Sequence, residues 1–255
     1  MDEDSEEYVR NSDLEFMAKE EDFEINIEFE QEEDSRNKIL KCMATLSYIG
    51  NNEEFNNYLE YLSDEEGYDI KKDKLSYVNI TFYSDSTNVE HYEYVYNDDF
   101  FSQKTIKYKK GYNGYLHGLY NKVTEYQLDK EKFPFLHKLK GIAYGMLLCC
   151  ICKAFTKGLI TKESNIILEA TGTVKDIDVI IYINRLVQFY NKIGFTPMFP
   201  KQYDYSISFG LIPMIGKVKD ILRTCTFKHI SDEIRVILPI EYCEGLCQDY
   251  GLLNL

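Results

Sequence analysis

The chain of 255 residues has no long basic block, no apolar run long enough to span a bilayer, no signal-peptide core and no internal repeat. These absences set aside a membrane role. They also set aside nucleic-acid binding, whose electrostatic footprint would be denser than the richest positive run, Lys107-Tyr108-Lys109-Lys110. Tryptophan is missing too, while tyrosine reaches 22 and Asn, Lys and Ile are frequent, as an AT-biased coding sequence gives. Seven cysteines, at 42, 149, 150, 152, 225, 243 and 247, are odd in number and irregular in spacing, so they make a poor extracellular disulfide framework. A reduced, cytoplasmic protein is expected.

The formal charge of −14 is concentrated rather than general. Residues 1–34 hold sixteen Asp or Glu against Arg10 and Lys19, and the rest of the chain holds 27 acids and 27 bases. A low overall pI therefore says nothing about a cationic substrate. The acid reads as a solvating arm over residues 1–21, followed by one domain over 22–255. At 44% apolar composition that domain can bury a sizeable core.

Cys149-x-x-Cys152 and Cys243-x-x-x-Cys247 have spacings that a zinc site made from two distant pairs would use. The apolar setting Met146 to Phe155 favours cysteine as a small core residue on a helix, and no metal is expected.

Alternation of Phe23, Ile25, Ile27 and Phe29 with Glu and Asn predicts a strand. Helical spacing predicts helices over 35–50 and 52–62. Two β-branched and aromatic runs, 75–83 and 89–96, read as a hairpin, and 121–128 as a further strand. A helix follows over 138–156, a buried strand over 165–170, and a helix over 184–193 ended by Gly194. Strands near 203–211 and 234–239 flank a helix near 217–224.

The segment Lys138-Leu139-Lys140-Gly141-Ile142-Ala143 opens an apolar helix. Glycine and alanine spaced i, i+2 at a helix start let backbone amides crowd round an anion. About forty-five residues on comes Phe189-Tyr190-Asn191-Lys192-Ile193-Gly194-Phe195.

Together these residues resemble the GNAT family of N-acetyltransferases. Its coenzyme A loop, Q/R-x-x-G-x-G/A, is matched by 138–143 with Lys138 in the leading position. Its later helix, N-x-x-A-x-x-L-Y-x-x-x-G-F, is matched at Tyr190 and Gly194-Phe195, with Phe189 in place of Leu and Leu186 in place of Ala. Upstream, Asn184 falls one residue late.

The resemblance implies an α+β fold (α/β three-layer), the acyl-CoA N-acyltransferase fold, in which a mixed, mostly antiparallel central sheet is flanked by helices. It also implies acetyl-CoA as acetyl donor, lying where the strand before the loop and the strand before the second helix splay apart. Contacts come from Lys138, Leu139, Lys140, Gly141, Ile142, Ala143, Tyr144 and Asn184. Tyr190 acts as general acid toward the departing thiolate, a job suited to a hydroxyl of pKa about 10. The base deprotonating the acceptor ammonium is Glu125, on the strand expected before the loop, or Glu169, on the strand after the loop helix. The acceptor is a primary amine of unspecified identity, and a homodimer is allowed. The rival reading is a catalytically degenerate binding or scaffold protein on the same core.

Overall fold

A computed structural model of the chain describes residues 16–20, 22–33, 38–66, 70–85, 90–97, 100–107, 111–125, 127–171, 179–198, 211–224 and 230–251. The alternation seen in the sequence forms β2 (Phe23–Glu33). It pairs antiparallel with β1 (Phe16–Glu20), which lies within the acidic segment, and with β3 (Lys38–Tyr48). β3 replaces the helix expected over 35–50. Leu40, Cys42, Ala44, Leu46 and Tyr48 are all buried, a period of two, and pairing on both edges overrides the weaker helical pattern.

The helix α1 (Glu53–Asp64) starts where predicted, with the Asn52 side chain accepting the Phe55 amide at 3.0 Å. β4 (Ser76–Tyr83) then pairs with β3 and with β7 (Gly114–Asn121). The hairpin expected between β4 and the next run is therefore absent. Instead β5 (Glu90–Asn97) pairs with β6 (Phe100–Lys107) in a separate two-stranded sheet. The strand expected over 121–128 is also corrected, since β7 ends at Asn121 and the chain turns into α2 (Lys122–Glu125).

A 3₁₀ turn, Pro134–Leu139, leads to α3 (Ile142–Thr156). β8 (Asn165–Thr171), α4 (Val179–Lys192), β9 (Thr196–Pro197), β10 (Leu211–Lys217) and α5 (Val218–Thr224) follow. The strand expected near 203–211 falls almost wholly outside the described residues. The strand expected over 234–239 is a helix, α6 (Asp232–Ile237), capped by Ser231 and followed by α7 (Ile240–Asp249).

The main sheet has eight strands in the order β1-β2-β3-β4-β7-β8-β10-β9. Among the described residues its pairings are antiparallel except that of β7 with β8. The fold is thus α+β on a mixed, mostly antiparallel sheet. β7-α3-β8 and β8-α4-β9 both advance the same way across the sheet, so right-handed connections put both helices on one face. Side chains of α1, α3, α4, α5, α6 and α7 join one core with the inward strand residues. The opposite face of β3, β4 and β7 carries Met43, Tyr77, Thr81, Tyr115, His117 and Tyr120, of which Met43 and Tyr120 are 41% and 40% exposed.

α3 packs on β3, β4 and β7 from one side and is covered by α6 and α7 from the other, which is why it is apolar all round. With the 3₁₀ turn it makes a 23-residue helical stretch, long and apolar enough to cross a membrane by length and composition, contrary to expectation. Two-thirds of its most apolar part is buried inside the protein, as for a core helix. A Cβ added at Gly145 would sit 2.7 Å from Leu238, so the absence of a side chain lets α6 approach.

Candidate functional site

β7 and β8 run parallel but pair only over three positions, Gly114 with Ile166 to Leu116 with Leu168. Beyond that point β7 stays with β4, and β8 stays with β10. The two strands part toward their C-terminal ends, and past Leu116 and Leu168 they do not pair with each other. A bulge marks the parting. Ile80 faces Leu116 and Asn79 faces Gly118, leaving His117 as the extra residue.

In a β-α-β crossover the helix begins at the end where the first strand finishes, so the start of α3 belongs to this open end. Gly141 is its N-cap, with φ of 80°, a left-handed conformation that costs a residue with a side chain about 1–2 kcal/mol. Leu139, Ile142 and Ala143 are buried, so these residues can offer an anion only their backbone. No acceptor for the amides of Gly141, Ile142 and Ala143 is found among the described residues. Lys138 is half-buried and Lys140 exposed.

The two sequence motifs meet here. Tyr144, in the first turn of α3, stacks on Phe189 of α4 with ring centroids 5.7 Å apart and planes 22° from parallel. Tyr190, next along α4, is 8% exposed and packs edge-on against Phe189 and Phe195. Gly194 ends α4 with φ of 93°, and Phe195 donates its amide to the Tyr190 carbonyl at 3.0 Å. Asn184 is half-buried on the same helix, but at 3.6 residues per turn it lies roughly 120° around the axis from Tyr190. The two do not share a stripe.

Glu125 is the last residue of α2 and not on a strand, which removes the geometric ground for its role as base. Its side chain lies outside the described residues. Glu169 is on β8, just past the parting from β7, and its carboxyl accepts the Tyr115 hydroxyl. Burial pushes its pKa above the ordinary carboxylate value, and the Tyr115 bond pulls the other way. The Tyr115 and His117 rings lie 4.5 Å apart, and His117 Nε2 is 3.0 Å from the Thr81 hydroxyl. Partial burial lowers the His117 pKa from its ordinary value. Tyr115 and Glu169 both face away from α3, since their strand neighbours Leu116 and Leu168 face into the core. The parting thus separates the start of α3 from a titratable group on the sheet's opposite face.

Tyr115 and His117 were missed because nothing in 101–120 marked a strand. Ser231 was missed although Ser231-Asp232-Glu233 carries a helix-start signal. The cysteine pairs converge between α3 and α7, where Cys243 is hydrogen-bonded with Cys149 and Cys152, and Cys152 also with Cys247. All four are free thiols in the core. Bonding to Cys243 and burial hold the Cys149 and Cys152 thiols up. Among the described residues no group of three or more His, Cys, Asp or Glu is arranged to hold a metal ion.

Between β2 and β4 one helix, α1, stands where helices were expected over 35–50 and 52–62. Comparison with family models, with curated proteins and with solved structures finds no match to this chain.

Proposed function

We propose that the protein is an acetyl-CoA-dependent N-acetyltransferase with a GNAT-like core. The observation that carries this reading is the stacking of Tyr144 on Phe189, which joins the loop helix to the Tyr190 helix at the open end of a parallel pair that splays. The pyrophosphate of coenzyme A fits amides that buried side chains leave as backbone alone, beside a left-handed glycine. Its amide-bearing arm suits the gap that opens between β7 and β8.

Acetyl-CoA supplies an activated thioester carbonyl. Glu169, half-buried with a raised pKa, takes the proton from the acceptor ammonium on the sheet's opposite face, with Tyr115 holding the carboxyl. The free amine attacks the carbonyl, the new C–N bond replaces the C–S bond, and Tyr190 gives its proton to the departing thiolate. Lys138 and Lys140 add positive charge beside the start of α3. The free cysteines fit a reducing compartment such as the cytoplasm.

The alternative, a coenzyme-binding protein without turnover, draws on Glu125 leaving the expected strand and on Asn184 standing apart from Tyr190. The test is calorimetric binding of acetyl-CoA followed by thiol release over a panel of amines. Binding with release supports the transferase. Binding without release supports the degenerate reading, and no binding refutes both.

A further inference from the structure

We propose that Ser231 is a positioning residue for the coenzyme loop, acting from a C-terminal segment through the loop's carbonyls; this rests on the reading that the loop holds the coenzyme pyrophosphate. Ser231 is 93 residues from Lys138 in sequence, yet its hydroxyl donates to the Lys138 carbonyl at 2.6 Å. Its amide donates to the Lys140 carbonyl at 3.0 Å. One residue thus grips alternate carbonyls of the loop.

In a trans peptide the N–H points opposite to the C=O. Fixing the Lys140 carbonyl on Ser231 therefore turns the Gly141 amide away from α6. The Leu139 and Lys140 amides are taken up within the 3₁₀ turn, that of Lys140 by the His137 carbonyl at 3.3 Å. A bound anion opposite α6 would meet donors rather than carbonyl oxygens, whose partial negative charge would repel it. The left-handed Gly141 then starts α3, so its first-turn amides continue the same cradle. Ser231 itself is fixed, because its Oγ also accepts the Ile234 amide at 3.3 Å as the N-cap of α6, and α6 is held by Leu238 and Ile234 packed on Gly145.

The test is coenzyme A titration of the full chain by calorimetry, with acetyl-transfer kinetics alongside. Ser231→Gly keeps most of the capping energy but loses the hydroxyl, so it changes the loop more than the helix. It is expected to raise the Kd for coenzyme A about three- to tenfold, with kcat and the acceptor KM unchanged. Ser231→Thr is expected to restore binding. Asn52→Ala removes an equivalent cap on α1 and is expected to lower Tm without changing the Kd.

Wild-type affinity in Ser231→Gly, or equal weakening by Asn52→Ala, would overturn the positioning role while leaving the transferase reading intact. A wild-type chain that does not bind coenzyme A overturns the transferase reading, and the role of Ser231 with it.

Discussion

Replacing Gly194 by alanine should harm this protein far more than the same change at Gly158, although both glycines have left-handed backbones. At Gly158, φ is 70° and a Cβ would meet nothing within 4 Å, so the cost is conformational alone, about 1–2 kcal/mol. At Gly194, φ is 93° and a Cβ would sit 2.9 Å from the Asp220 carbonyl carbon and oxygen and from the Ile221 nitrogen. These are backbone atoms of α5 and cannot rotate aside. Overpacking adds about 1–3 kcal/mol, which brings Gly194→Ala to roughly 2–5 kcal/mol. In a chain of this size each kcal/mol lowers Tm by about 2–4 °C. Urea unfolding of both variants, with matched m-values, gives the comparison. Because Gly194 also sets the turn after Tyr190, its replacement should lower turnover where Gly158→Ala does not. Equal losses of stability at the two sites would refute the steric reasoning.

Three further outcomes follow from the proposed chemistry. Tyr190→Phe should cut acetyl transfer about 10²- to 10⁴-fold with coenzyme A affinity unchanged in calorimetry, and a variant with normal turnover would remove Tyr190 as the acid. Glu169 has a folded pKa raised by burial, so its stabilising contribution is full below the unfolded pKa and is lost as pH rises through the folded value. Glu169→Gln should therefore lose activity while matching or exceeding wild-type Tm at neutral pH. In the wild type, kcat/KM should climb with pH through a pKa above the usual carboxylate range, and a profile flat across that range would count against Glu169. Lys138→Ala and Lys140→Ala should each weaken coenzyme A binding about two- to fivefold at low salt, with the difference fading as salt rises. A salt-independent loss would point to misfolding of the loop.

Legibility varied with the source of the signal. β2, α1, α3, β8, α4 and α5 followed from period and caps, because each carries one dominant pattern. β3 did not, since Ile39, Leu40, Met43 and Leu46 fit a helical stripe as well as a strand, and only pairing with β2 and β4 decides between them. α6 was hidden by the β-branched run Ile234 to Ile237, although Ser231 and the acids after it signalled its start. The hairpin reading failed for a different reason. Two strand-like runs joined by a short loop invite pairing, but β4 has both edges taken by β3 and β7. Within the site, the loop and Tyr190 were visible as motifs. Glu169 was visible only as one of two carboxylates, since which one lies at a parting of strands depends on register. No sequence spacing links Ser231 to Lys138, because their contact depends on how α6 packs on α3.

The one-sided placement of the helices has a kinetic meaning. If the coenzyme of the proposed reaction enters from the helix side and the amine from the opposite side of the sheet, the parting of β7 and β8 is where the two routes converge. Neither reactant then blocks the other's door. Acetyl transfer would take place in a complex holding both, without an acetylated enzyme in between, and the spent thiol could leave by its own route while the product amide diffuses from the opposite surface.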